Sequence, residues 1–270
     1  GTCWQSLGKP VDAQRDLSAA LETAERLNDS ALLGRAHRAL LFLHVFVGPP
    51  ETARAHREKA FALGESIGAR NLQWSAHYGL GTLSGLTGDG EGAMRHNRRC
   101  EELADELQSP LLRSYSGEIS IQYAFAAGNW DEGIALAEQI IATARAANQR
   151  VLLPRLLVWA TWFYTARAEY ERAKQYLDEA WEIGVARASR GRPIEVHSQV
   201  AVYAGLAQFY LTSGDYARAV DIGEQGLAIA DRAGYKVWAT YRLIPVMAEA
   251  ALWKRDRERA RAFRARAPVD

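Results

Sequence analysis

A turn residue, glycine in five of seven cases, recurs along this chain about every forty residues, and five places after each stands a residue no larger than alanine. The turns fall at Gly8, Gly48, Gly88, Gly128, Ala168, Gly214 and Arg255, in steps of 40 four times and then of 46 and 41. Five places on stand Ala13, Ala53, Ala93, Gly133, Ala173, Ala219 and Ala260. Sixteen places after the first six turns stand Ala24, Gly64, Ala104, Ala144, Gly184 and Ala230. A period of this length is the mark of stacked supersecondary units, each touching mainly its neighbours. Residues 1–270 are therefore expected to form a single helical-repeat domain.

Each unit reads as two helices. From Ala31 to Val47, Leu32, Leu33, Ala36, Ala39, Leu40 and Leu43 recur at helical spacing. Gly48-Pro49-Pro50 then stops that helix and seeds the next, which runs to Ile67. At Gly88-Asp89-Gly90, Gly128-Asn129-Trp130 and Gly214-Asp215-Tyr216 the glycine ends one helix and Asp or Asn is expected to cap the next. The small residues have a mechanical reason: two antiparallel helices joined by a short turn approach closely only where a side chain is little more than a methyl group. Ala20, Ala60, Ala180 and Gly226 are expected to do the same further along, where the second helix meets the next unit. Cys100 takes that place in its own unit and reads as a small buried thiol.

The resulting pattern resembles the tetratricopeptide repeat family. Leu206, Ala207, Tyr210, Gly214-Asp215-Tyr216, Ala219 and Gly226 match the spacings of that motif, and Leu80, Gly81, Gly88, Ala93 and Cys100 match them a second time. The resemblance implies an all-α fold, a right-handed superhelix of about seven helix-turn-helix units with a concave groove. The period departs from the usual 34 residues, and the motif's terminal proline is absent. Such long units are similar to the repeat regions of large bacterial signalling ATPases and of LuxR-type regulators resembling the maltose-regulon activator. Trp4-x-x-Leu7-Gly8 mimics the start of the motif, but the forty-residue ruler makes Gly8 a turn.

Net charge is formally +1, so no global field draws the chain onto nucleic acid or membrane. No run approaches the ~18 apolar residues of a membrane span, and no signal peptide precedes the repeats. Two cysteines, Cys3 and Cys100, make neither a disulfide framework nor a C-x-x-C pair. A cytoplasmic location is expected. The chain opens at Gly1 without an initiator methionine and starts inside a repeat, so a fragment of a longer protein is expected.

Two places break the rhythm. The 46-residue step puts about six extra residues near Ser189-Arg190-Gly191-Arg192-Pro193, a longer loop that with Arg187 is expected to be a solvated insertion. The tail from Lys254 to Arg266 holds seven basic residues and two acidic ones. A solvated last helix or a connector is expected there ahead of a nucleic-acid arm.

The sequence carries no phosphate-binding loop, no H-E-x-x-H and no nucleophile elbow. The six histidines, 37, 44, 56, 77, 96 and 197, are scattered. His37 and His44 can share a helix face, but no acidic or cysteine partner joins them at ligand spacing, so no metal and no cofactor is expected. Neither is enzyme activity. What remains is a surface. In the tetratricopeptide family the first helices line the concave face, and counting back 13, 10, 9 and 6 from each turn gives the positions that point into it. These hold Arg35, Arg38 and Phe42; Ser75, Tyr78 and Thr82; Tyr115, Glu118 and Gln122; Arg155, Trp159 and Trp162; Gln208; and Arg242 and Glu249. Mixed Arg, Tyr, Trp and Gln suit recognition. For any one aromatic, Trp159 above all, the competing role is to fill space between helices. The Lys and Asn of the family's basic carboxylate clamp are absent. The expectation is a sensor or scaffold module that binds a peptide, a protein partner or a small polar ligand, within a signalling or transcriptional regulator. The alternative is self-assembly into a homo-oligomer.

Overall fold

A computed structural model of the chain describes residues 5–86, 88–186 and 195–267, the side chains of Pro50, Leu86 and 236–241 apart. Trp4, Cys3 and the insertion at Ser189–Pro193 with Arg187, Arg190 and Arg192 lie outside the described residues. The described residues form thirteen helices and no strand, an all-α repeat. The helices are α1 (Pro10–Leu27), α2 (Ser30–Val47), α3 (Pro50–Ser66), α4 (Arg70–Leu86), α5 (Gly90–Glu106), α6 (Pro110–Ala126), α7 (Trp130–Ala146), α8 (Leu153–Ala166), α9 (Tyr170–Gly184), α10 (Val196–Thr212), α11 (Tyr216–Ala233), α12 (Lys236–Trp253) and α13 (Arg257–Arg264).

Six of the seven expected turns, from Gly48 to Arg255, lie between two of these helices, and Gly8 just precedes α1. At Gly88, Gly128 and Gly214 the backbone is left-handed, with φ of 80°, 77° and 86°. Glycine suits this because it lacks the Cβ that makes the region costly. Ala168 and Arg255 hold the same conformation, at 60° and 62°, without that freedom. The residue after the turn closes the helix behind it: Asp89 N–H donates to Ser84 O, Glu169 to Tyr164 O and Asp215 to Tyr210 O, at 2.8–2.9 Å. Asp89 and Asp215 then cap the helix ahead through their carboxylates, accepting from Gly92 N–H and Arg218 N–H. Asn129 sits at the matching place but makes no side-chain cap bond. Asp131 and Glu132 stand in that first turn instead, where carboxylates favour the positive end of the helix dipole. Gly48 is extended, and Pro50 opens the next helix. A second series of left-handed residues, Asn28, Gly68, Gln108, Asn148 and Gly234, lies halfway between the expected turns. These join one helix pair to the next, so the reversal recurs every twenty residues or so.

The chain divides into two compact units, residues 1–123 and 124–270. In the first, α1 packs on α2, α2 on α3, α3 on α4, α4 on α5, and α2 also on α4. In the second, α7 packs on α8, α8 on α9, α9 on α10, α10 on α11, α11 on α12 and α12 on α13. The leading helices of that unit also touch one another, α8 on α10 and α10 on α12. Its trailing helices are laced by ion pairs: Arg145 with Glu179 and Arg172 with Glu138 between α7 and α9, and Arg259 with Glu224 and Arg266 with Asp231 between α13 and α11.

Ala13, Ala53, Ala93, Ala173 and Ala219 have no exposed surface. A Cβ on Gly133 would lie 2.5 Å from Phe163 Cζ, so this place tolerates nothing larger. Ala60, Cys100 and Ala180 are also fully buried, and the Cys100 thiol donates to Trp74 O of its own unit's leading helix. Ala20, expected inward, is exposed. Leu17 and Leu21 pack with Ala13, Leu40 and Leu43. One helix runs against the expectation that no apolar run approaches membrane length. α2 has a mean hydropathy of 1.2 over 18 residues. It carries Arg35 and Arg38 and packs on α1, α3 and α4, so its apolar side serves the core.

Two substitutions should move stability in opposite directions. Ala173→Leu should lower it by about 1–3 kcal/mol, because the crossing cannot absorb three more heavy atoms. Ala168→Gly should raise it by up to about 1 kcal/mol, because the left-handed residue is exposed and loses only strain. Thermal melts read both; an unchanged Tm for Ala173→Leu would mean that the crossing yields.

Candidate functional site

The expected groove residues form two groups, one in each unit. In the first unit an aromatic cluster spans three leading helices. Trp74 and Tyr78 of α4 stack with ring centroids 4.9 Å apart. Tyr115 of α6 sets its ring edge-on to both, at 6.2 and 5.8 Å. Phe42 of α2 lies 5.9 Å from Tyr78. The Trp74 indole N–H donates to Ser116 Oγ at 3.3 Å. Tyr78 and Tyr115 thus meet as expected, but they meet each other. Trp74 was missed because it sits fourteen residues before its turn, one place outside the counted stripe. Glu118 is buried, while Gln122 and Arg38 are half-buried. Burial and then the neighbouring Arg35 charge lower the pKa of Arg38.

In the second unit, Trp159 and Trp162 of α8 lie 4.8 Å apart. The Arg242 guanidinium of α12 covers both, 4.3 Å from one ring centroid and 4.5 Å from the other. This is a close cation–π arrangement with two indole faces. α10 lies between the two helices and offers Ala201 and Ala204 at the counted positions, both buried. With no large side chain there, a long residue on α12 can reach α8. Trp159 is only 3 % exposed, so it packs, whereas Trp162 stays half-exposed. The Trp162 indole nitrogen itself is buried and meets no acceptor. Phe125 sets its ring edge-on to Trp162 at 5.6 Å and stacks on Trp130. Gln208 is turned to Thr212 Oγ1 of its own helix.

Arg155 was expected to point into the groove. It is buried, with Nη1 3.5 Å from His197 Nδ1. Burial pushes the Glu195 carboxyl up and the Arg155 charge draws it back. Glu195 caps α10 by accepting from the N–H groups of His197 and Ser198. Arg155 therefore serves the inside of its unit. Glu138 accepts from Tyr164 and Tyr176 hydroxyls at 2.5 and 2.6 Å and from Arg172 at 2.9 Å. Burial raises its pKa, but those hydrogen bonds and the Arg172 charge bring it below the usual value.

Five of the six histidines gather in two groups. His37 and His56 place their Nδ1 atoms 2.9 Å apart across α2 and α3. His77 and His96 repeat this at 3.0 Å across α4 and α5. His44 stacks on His56 with ring centroids 5.6 Å apart. Both members of the second pair stand forty residues after those of the first, a signal present in the sequence and missed there. Among the described residues no three His, Cys, Asp or Glu side chains gather to hold a metal.

No family model matches the chain, and no curated protein matches it.

The histidine pairs make stability depend on pH. One ring of each pair donates and the other accepts, so a second proton removes the acceptor and sets two charges about 3 Å apart. Burial first, then the partner histidine, lowers His56 and His77 from 6.5 to about 4. The nearby Lys59 and Arg99 charges act the same way. The unfolded chain therefore binds more protons between these values, and stability falls as pH drops from 6.5 through about 4. Thermal melts at about pH 7 and pH 4.5 should show a loss of several degrees, roughly 1–2 kcal/mol after allowing for solvent screening. The double variant His56→Gln with His77→Gln should lose clearly less; an equal loss would place the titrating groups elsewhere.

Proposed function

We propose that this chain is a non-enzymatic recognition module that takes an anionic group of a peptide or partner protein at Arg242, Trp159 and Trp162. The observation that carries this is the Arg242 guanidinium laid over two indoles, beside a buried Trp162 N–H with no acceptor. The aromatic faces hold the guanidinium plane, which suits it to bind a carboxylate through two parallel N–H bonds. An indole N–H left without an acceptor costs on the order of 1–3 kcal/mol, and a ligand oxygen that reached it would recover that cost. Trp162 supplies stacking area and Trp159 supports it from below. On this reading the chain is a tetratricopeptide-like segment of a larger cytoplasmic signalling or transcriptional regulator, with a protein or peptide as its partner and no cofactor.

The test uses short random peptides in two forms, free acid and C-terminal amide, with acidic and neutral side chains balanced across both. Binding is followed by tryptophan fluorescence. Peptides with a free carboxylate should bind, and Arg242→Ala or Trp162→Ala should weaken them by roughly thirtyfold, the cost of about 2 kcal/mol at an anchor. Gln175→Ala on the exposed side of α9 should bind like the parent. Equal binding by Arg242→Ala, in a protein that melts normally, would remove this site from consideration.

A further inference from the structure

The first unit holds two arginines that nothing in it neutralises. Arg35 and Arg38 stand one turn apart on α2, which puts their guanidinium groups on neighbouring parts of one face. Among the described residues neither makes an ion pair or a hydrogen bond. Other arginines of the unit do: Arg70 pairs with Glu106, Arg99 with Glu102 and Arg113 with Asp105, at 2.5–3.2 Å. Arg35 is exposed, whereas Arg38 is half-buried. Its pKa is lowered by burial first and by the Arg35 charge second, and no carboxylate offsets either. A partly desolvated cation beside a like charge is a costly arrangement unless an anion arrives from outside.

The place lies inside the repeat. Arg38 stands forty residues before Tyr78, at the same distance from its turn. Tyr78 at that position touches Tyr115 of the leading helix that follows it. Arg38 accordingly faces α4, the leading helix that follows its own and packs on it. Phe42, one turn further along α2, meets α4 through Tyr78 at 5.9 Å. The rings then continue to Tyr115 and to Trp74. Phe42, Tyr78 and Tyr115 are all half-buried, so an accessible aromatic row begins one helical turn from the Arg38 guanidinium. An aliphatic anion would neutralise the arginines and leave the rings in water. A neutral aromatic would cover the rings and leave Arg38 without a counter-charge. A planar ring that carries a carboxylate answers both, through the guanidinium fork at one end and ring-to-ring contact at the other.

We propose that Arg35 and Arg38, with the ring row that begins at Phe42 and Tyr78, form a binding site for a small aromatic carboxylate.

The experiment titrates the 270-residue chain with 2-naphthylacetate by calorimetry. Two further probes each lack one feature: 2-naphthylacetamide has no charge, and cyclohexylacetate has no aromatic ring. The naphthyl acid should bind roughly tenfold more tightly than either, and Arg38→Gln should weaken it by roughly the same factor. Phe42→Leu should weaken the naphthyl acid while leaving cyclohexylacetate as it was. Should Arg38→Gln melt early, Arg35→Gln, at an exposed position, reads the same charge. The proposal is overturned if the naphthyl acid does not bind, for then the two arginines only cover α4 with their stems. It is overturned equally if the amide or the cyclohexyl acid binds as well, or if both arginine variants bind like the parent. Arg242→Ala tests the other arginine–aromatic site: if it abolishes binding while Arg38→Gln keeps it, the acid sits at the tryptophans and the proposal is wrong.

Discussion

Two helices joined by a turn of two or three residues can lie side by side only if nothing larger than a methyl group stands between them next to the turn. Ala53, Ala93, Ala173 and Ala219, all without exposed surface, meet that condition, and Gly133 meets it where even a methyl would strike Phe163. Once this crossing is fixed, the faces of both helices are fixed with it. Everything else in each unit is then a matter of counting from the turn: which residues meet the preceding pair, which meet the next, and which remain at the surface. The cost of disturbing the crossing follows from close packing, where a change of one methylene is already felt.

The same counting explains what could be read from sequence and what could not. The turns were legible because glycine and a following Asp leave a chemical mark, as at Gly88-Asp89 and Gly214-Asp215. The connections between pairs were not, because Asn28, Gln108 and Asn148 share only a tolerance for left-handed backbone, which many polar residues have in some measure. Counting gives a residue's angular place on its helix but not its depth. Glu118, Arg155 and Trp159 lie at groove positions and are nevertheless buried, since depth depends on neighbouring side chains that no spacing rule reports. Arg242 reaches the tryptophans because α10 happens to carry Ala201 and Ala204 between them. Gln122 and Gln208 needed no correction of angle, but Gln208 spends its amide on Thr212.

In the second unit the two kinds of helix hold to their neighbours by different forces. The leading helices α8, α10 and α12 meet through aliphatic contact, as at Val158 beside Gly205, and through the Arg242 guanidinium laid over Trp159 and Trp162. The trailing helices are tied by arginine–carboxylate pairs across α7 and α9 and across α11 and α13. Exposed pairs of this sort contribute little each. Their value is in registration: Arg145 reaches Glu179 and Arg172 reaches Glu138 only when the two helices are correctly aligned. The Glu138 cluster adds two tyrosine hydroxyls to that alignment, so one carboxylate accepts from three neighbours.

Because nearly every packed pair joins helices adjacent or next-but-one in the chain, the contacts are close in sequence. Little loop entropy has to be lost before the first of them forms, and local topologies of this kind fold quickly. Formation can begin at any helix pair and spread to its neighbours, and loss can begin at an outermost pair while inner ones persist. Opening therefore comes in steps of a helix or a pair, so that a terminal pair can come and go on its own timescale with the remainder intact. Graded opening of this kind lets one helix pair loosen while the ion pairs and aromatic contacts of its neighbours stay in place.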